Sequence, residues 1–140
     1  MKKLCILLIL LSLFLFGCHQ KRYELPLCQP TDQIIKIELS EHTSGKRVIL
    51  CALNPMEILP FMEKLEAVSC YRYFNDPATD YGYLSIYLYY KNGDIDILGT
   101  GICDTTSDSG ARKGWYYLDA SETWELFSYY IPVEHLPSKK

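Results

Sequence analysis

The residue with the clearest chemical context is Cys18, which ends an apolar segment near the N-terminus. Two lysines follow the initiator methionine, and an apolar run over residues 4–16 is interrupted only by Ser12. A basic start followed by a short apolar run is typical of an export signal. The run is too short to cross a bilayer as a mature helix. The thiol of Cys18 is therefore the first candidate for chemistry, and that chemistry is covalent modification during export.

The residues Leu15-Phe16-Gly17-Cys18 resemble the lipobox of bacterial lipoprotein precursors, with an aliphatic residue, a small residue and the cysteine in place. The resemblance implies that the Cys18 thiol receives a diacylglyceryl group carrying chains such as palmitate. It also implies removal of residues 1–17 and a lipid-anchored location on the extracytoplasmic face of the cell membrane. Two acyl chains make such an anchor effectively permanent, since each buried CH₂ contributes about 0.8 kcal/mol. A cleaved secretory signal or an uncleaved anchor, with Cys18 incidental, is the alternative.

Four further cysteines lie at wide spacings and contain no Cys-x-x-Cys pair, which disfavours a zinc site: Cys28, Cys51, Cys70 and Cys103. A predicted helix separates Cys51 from Cys70 by about 18 Å, beyond the reach of a disulfide. An antiparallel meander places the disulfide candidates Cys28, Cys51 and Cys103 near one end of the sheet. Export permits one bridge among these three. Four buried thiols are the equal alternative.

No catalytic arrangement is visible elsewhere, and no metal site or cofactor is predicted. His42 is interpreted as an exposed loop histidine, and no Gly-x-Ser-x-Gly nucleophile motif occurs. Asp94 and Asp96 share a predicted sheet face, but Lys91 opposite Asp94 favours a solvated, salt-bridged surface. The acidic segment 104–110 does not fit a calcium loop, because position twelve is Trp115.

Tyrosine is the most promising source of a binding surface, with twelve copies in the chain. Tyr83, Tyr87 and Tyr89 alternate along one predicted strand, and Trp115 is predicted to lie nearby. Tyrosine and tryptophan combine apolar area with a polar group, as binding sites for peptides and glycans do. The alternative is that the second helix covers this face.

The first half of the domain reads as two strands, a helix and a third strand. The runs 34–40 and 46–53 are β-rich, and the polar segment 41–45 predicts the loop between them. Asn54 is a predicted N-cap with proline next and Glu57 at N3, while Pro60 is expected to kink the helix or delay its start. Residues 71–74 form the third predicted strand.

The second half is dominated by a predicted hairpin around Asn92-Gly93, the strongest short hairpin signal. A two-residue loop pairs Tyr90 with Ile95 and puts Ile95 and Ile97 on the apolar face. That face also carries Leu84, Ile86, Leu88 and Tyr90. Residues 112–118 predict another strand. Asp119 with Glu122 predicts the start of a second helix, whose apolar stripe is Trp124, Phe127 and Ile131.

These elements give an α+β domain in the order β-β-α-β-β-β-β-α, with helices packed on an antiparallel sheet. With its lipobox and the Asn92-Gly93 hairpin, the layout is similar to small lipoproteins of low-GC Gram-positive bacteria, for which no activity is assigned. The predicted organisation is a signal peptide (1–17), a lipidated N-terminus and tether (18–33), one domain (34–132) and a polar tail (133–140). Fully extended, the tether would reach at most about 50 Å.

The net charge of the chain limits the class of partner. Loss of Lys2 and Lys3 leaves 12 basic residues against 17 acidic ones, or a net charge of about −5. An acidic domain without a basic stretch argues against nucleic acid. The sequence therefore favours a non-catalytic binding or interaction module of the cell envelope, whose candidate partner is a protein, peptide or glycan. The alternative is a small envelope hydrolase or thiol-redox protein.

Overall fold

The computed structural model describes residues 20–75, 82–107 and 114–139. The predicted signal peptide and Cys18 lie outside these residues. Within them, no helix is long and apolar enough to cross a membrane. The α+β class is confirmed, with two antiparallel sheets and two helices.

The strands are β1 (Ile34–Thr43), β2 (Lys46–Ala52), β3 (Cys70–Arg72), β4 (Leu84–Tyr90), β5 (Ile95–Gly99), β6 (Cys103–Thr105) and β7 (Tyr116–Leu118). Five of them form one antiparallel sheet in the order β2-β1-β4-β5-β6, and β3 pairs with β7 in a second sheet. The helices are α1 (Ile58–Leu65) and α2 (Ala120–Ser128). The strand β6 was not predicted, because its residues fall in a segment whose polar composition indicated a loop.

Both helices begin where the sequence predicts an N-terminal signal. The Glu57 carboxylate accepts a hydrogen bond from the Asn54 amide, and a 3-10 turn over Pro55–Glu57 precedes α1. Pro60 thus lies in the first turn of α1, where its missing N–H has no intrahelical partner to lose. Asp119 caps α2 by accepting from the Glu122 amide, whereas the Glu122 side chain bonds Ser69.

The core lies between the helices and one face of the five-stranded sheet. Alternate β4 residues contribute to it as predicted, namely Leu84, Ile86, Leu88 and Tyr90. Phe61 and Leu65 of α1 and Phe127 of α2 are fully buried or nearly so in the same cluster. The two helices therefore cover one face of the sheet, and Tyr87 and Tyr89 lie on the other. The alternative that the second helix covers the tyrosine face was wrong.

The hairpin between β4 and β5 differs from the prediction by one residue. Tyr89, not Tyr90, lies opposite Ile95, and the loop is three residues long, Lys91-Asn92-Gly93. Of these three, only Gly93 has a positive φ, at 92°, so the type I′ turn, which needs two such residues, does not form. One residue of slip moves Ile95 and Ile97 to the tyrosine face and Asp96 to the core side.

The hairpin between β1 and β2 is tighter than predicted. β1 continues to Thr43, which lies opposite Lys46, so only Ser44-Gly45 form the loop. Both loop residues have positive φ, 52° and 74°, as a type I′ turn requires. His42 therefore belongs to a strand, and its interpretation as a loop residue was wrong.

Much of the segment predicted as a tether packs on the domain. The Tyr23 amide donates to the Cys70 carbonyl over 2.8 Å, and Leu25 and Leu27 pack against the core. At the other end of the chain, Leu136 also packs against the core, and Trp124 Nε1 donates to the Pro137 carbonyl. The apolar residues in these two segments were too few to reveal a period, yet they bury surface on the domain.

Candidate functional site

The five-stranded sheet has one face that neither helix covers, which we call the helix-free face. Strand pairing fixes its members, because directly opposed residues in an antiparallel sheet point to the same side. It comprises Lys36, Glu38, Ser40 and His42 of β1, Arg47, Ile49 and Ala52 of β2, Ser85, Tyr87 and Tyr89 of β4, Ile95 and Ile97 of β5, and Asp104 of β6. The face is amphipathic, with charged groups toward β1 and β2, aliphatic groups on β5 and the exposed Asp104 carboxylate on β6.

A charge cluster centred on Glu38 organises the middle of this face. The Glu38 carboxylate pairs with the Lys36 and Arg47 cations and accepts a hydrogen bond from the Tyr89 hydroxyl, each at 2.6 Å. Burial of this side chain would raise its pKa, but hydrogen bonds from Lys36, Tyr89 and Arg47 outweigh burial and lower the pKa to about 2. Glu38 is therefore ionised at neutral pH and holds Lys36, Arg47 and Tyr89 in place.

Arg47 contacts both tyrosines of this face. Its guanidinium lies 3.4 Å from the centroid of the Tyr87 ring, and it donates to Ser40 and to the Tyr89 hydroxyl. Tyr87 is only 9% exposed, and burial raises the pKa of its phenol. The Lys36 ammonium lies 5.0 Å from the Tyr89 ring centroid. Each ring thus carries a cation on its face.

His42 and Ser85 form the one arrangement on this face that is similar to a catalytic pair. His42 Nε2 lies 2.9 Å from Ser85 Oγ and 3.4 Å from the Tyr87 hydroxyl. A serine nucleophile must reach a substrate carbonyl, yet Ser85 is fully buried in the centre of the sheet. The geometry suits a structural hydrogen bond that links His42 of β1 to Ser85 of β4.

The other predicted members of the tyrosine site are elsewhere. Tyr83 packs against the core near Glu41, and burial raises the pKa of its phenol. Trp115 precedes β7 and belongs to the second sheet, where its carbonyl accepts from Tyr73. The structure therefore brings together Tyr87 and Tyr89, but neither Tyr83 nor Trp115 joins them.

The second sheet carries a separate group of rings, which we call the aromatic set: Tyr71, Tyr73, Trp115 and Tyr117. The Tyr117 ring lies 4.4 Å from Tyr73 and 5.6 Å from Tyr71. These residues alternate with Cys70 and Leu118, which point into the core. Trp115 is 41% exposed.

Among the described residues, none of the four cysteines of the domain forms a disulfide, and this includes the candidates Cys28, Cys51 and Cys103. Burial raises the pKa of the Cys28 thiol to about 11, with a further contribution from Asp96. Burial likewise raises the pKa of Cys51. A thiol-redox centre needs a lowered pKa, so neither environment suits that chemistry.

Asp96 contradicts the predicted solvated face, whereas Asp94 remains in contact with solvent. Asp96 is fully buried, and its carboxylate accepts from the Tyr90 hydroxyl and from the Cys28 amide. Asp94 accepts from Asn92 and Gln29, and these hydrogen bonds lower its pKa. Within the described ranges, no group of three or more His, Cys, Asp or Glu side chains is placed to hold a metal ion.

Comparison with known proteins gives no further guide to the site. No protein-family model matches the chain, and neither the curated proteins nor the solved structures contain a match.

Proposed function

We propose that this chain is an extracytoplasmic lipoprotein, anchored through acylated Cys18, whose domain is a non-catalytic binding module of the cell envelope. The address rests on the export signal and the lipobox-like ending at Cys18. The binding role rests on the helix-free face described above. Both helices pack on the opposite side of the sheet, among the residues that the structure describes.

The observation that carries the binding role is the combination of aliphatic and cationic groups accessible on this face. Ile49 is 52% exposed, and the Lys36 side chain is 50% exposed. Ile95 and Ile97 are partly exposed beside them. Exposed apolar groups rimmed by polar ones mark contact sites on soluble domains.

The same face favours a protein or peptide over a glycan. Sugars stack on open aromatic rings, whereas the Tyr87 and Tyr89 rings carry the Arg47 and Lys36 cations. The groups left accessible are aliphatic side chains and the cations that lie over these rings. Of these, arginine is enriched in protein interfaces.

The lipid anchor is tested by metabolic labelling with a fatty-acid analogue. We expect the wild-type protein and the matched control Cys51→Ala to be labelled and Cys18→Ala to be unlabelled. Label that persists in Cys18→Ala would refute acylation at this residue.

The binding role is tested by co-sedimentation of the lipid-modified protein, kept in detergent, with envelope fragments from cells lacking it. A charge at a central contact typically costs on the order of 2 kcal/mol, so Ile49→Glu is expected to weaken binding about thirtyfold. Leu59→Glu is the control, because Leu59 is 67% exposed on α1, on the other side of the sheet. Equal binding of both variants and the wild type would count against the helix-free face.

The hydrogen bond between His42 and Ser85 is the one observation that favours a hydrolase instead. A fluorophosphonate probe labels an activated serine. Because Ser85 is fully buried, we expect no labelling in the native protein. Labelling that disappears in Ser85→Ala would replace the binding module with the hydrolase.

A further inference from the structure

Gln20, the first residue that the structure describes, contacts the aromatic set. Gln20 Nε2 donates to the Tyr117 hydroxyl over 2.7 Å. Three residues later, Tyr23 is fixed to β3 through the Cys70 carbonyl, and its ring contacts Tyr116 edge-on at 5.8 Å. The first described residue therefore lies next to Tyr117.

Covalent geometry then limits how far the lipid anchor is from this surface. Consecutive Cα atoms are 3.8 Å apart, so the Cα of Cys18 lies within about 8 Å of the Cα of Gln20. The predicted tether of up to about 50 Å is reduced to the few residues before Tyr23. An acylated Cys18 would bring the membrane to the aromatic set.

The composition of this surface matches the headgroup layer of a bilayer. Tyrosine and tryptophan concentrate there because one end of each ring is apolar and the other polar. Trp115 is 41% exposed, and Phe74, which follows Tyr73 along the chain, is 97% exposed. An exposed cation lies between this surface and Cys18 along the chain: the Lys21 ammonium is 5.3 Å from the Tyr23 ring centroid. Arg72 and Tyr116 lie on the other face of the second sheet.

We infer that the aromatic set is a membrane-contact surface, which rests in the lipid headgroup layer when Cys18 is acylated. The inference rests on the proposed lipidation and adds an orientation to it. Trp115 would lie at the interface, with Lys21, three residues from Cys18, near lipid phosphates. The helix-free face belongs to the other sheet and is left for the envelope partner.

The test uses the lipid-modified protein reconstituted in phosphatidylcholine vesicles containing brominated lipid, which quenches nearby tryptophan emission. The chain has two tryptophans, Trp115 and Trp124, so the difference between wild type and Trp115→Phe isolates the emission of Trp115. Because tryptophan partitions into the bilayer interface, we expect brominated lipid to quench about half of the Trp115 emission. Val48→Glu is the control, since Val48 is 44% exposed on β2, which lies at the edge of the sheet farthest from β6, near which β7 packs.

Two failures are distinguishable in this experiment. Unquenched Trp115 emission in protein that floats with the vesicles would overturn the contact surface and leave the anchor intact. Wild-type protein without acyl chains would overturn the anchor and, with it, the inferred orientation. Quenching of Trp115 that Val48→Glu leaves unchanged supports the inference.

Discussion

The Tyr90 hydroxyl donates a hydrogen bond of 2.7 Å to the Asp96 carboxylate, and both residues are buried on the core side of the β4–β5 hairpin. The same carboxylate accepts from the Cys28 amide over 2.8 Å. Asp96 thus joins the hairpin to the N-terminal segment. That segment leads toward Cys18, the residue proposed to carry the lipid.

Replacement of Asp96 by alanine should destabilise the domain by about 3 kcal/mol, because it removes the acceptor of two hydrogen bonds, from the buried Tyr90 hydroxyl and the partly buried Cys28 amide. Urea denaturation measures the free energy of unfolding. Asp104→Ala is the control: Asp104 is exposed on neighbouring β6, so its loss should cost less than about 0.5 kcal/mol. Equal stability of the two variants would show that Asp96 does not hold the segment.

The stability of the domain should fall in acid because of Glu38. Its pKa is about 2 in the folded protein against an ordinary value of 4.5, so the folded state favours the ionised form. The stabilisation is present above about pH 4.5 and is lost as the pH falls toward 2, a loss on the order of 2 kcal/mol. Urea denaturation between pH 7 and 2.5 should show a steeper decline for wild type than for Glu38→Gln. Parallel curves would contradict the assigned role of Glu38.

The Ser44-Gly45 turn contains a non-glycine residue with a φ of 52°. Asparagine tolerates this conformation better than serine and is the preferred first residue of a type I′ turn. Ser44→Asn should therefore stabilise the domain by about 0.5 kcal/mol. Thermal unfolding checks the sign, with Thr43→Asn, a substitution in the adjoining strand, as the comparison. A lower Tm for Ser44→Asn would mean that the loop is not the two-residue turn.

The four cysteines of the domain should be reduced, and Cys28 should react slowly with alkylating reagents. Unfolded protein prepared without reductant should yield four titratable thiols per acylated chain. A rise in the Cys28 pKa from 9.0 to about 11 lowers its thiolate fraction about a hundredfold at neutral pH. Alkylation of native protein, followed by peptide mass mapping, should therefore leave Cys28 largely unmodified until the pH is strongly alkaline. A recovered disulfide-linked peptide, or rapid alkylation of Cys28 at pH 7, would restore the thiol-redox alternative.

The sequence predicted the elements whose signals are local. Alternation along β4 placed Leu84 and Tyr87 on opposite faces, and the caps at Asn54 and Asp119 located both helices. Register depends on a turn conformation that composition does not determine. Asn92-Gly93 fits either a two-residue or a three-residue loop, and the choice moves Asp96 from solvent to the core.

The candidate site was predictable only in part, because long-range packing positions it. Tyr87 and Tyr89 were predicted from alternation, whereas Arg47, Glu38 and His42 join them through pairing with β1 and β2. A polar run before Gly45 predicted a loop, and only the tight Ser44-Gly45 turn extends β1 far enough to include His42. The contact between Gln20 and Tyr117 is separated by 97 residues and has no sequence signal.

The central claim is that the helix-free face meets an envelope partner, and photocrosslinking in intact cells tests it most directly. A benzoylphenylalanine residue is placed at Ile49 on this face or, as a matched control, at Leu59 on α1; both side chains are more than half exposed. We expect one discrete high-mass adduct from position 49 and none from position 59, with both proteins acylated and membrane-bound. An anchored protein that gives no adduct at 49, or the same adduct at both positions, would contradict the account.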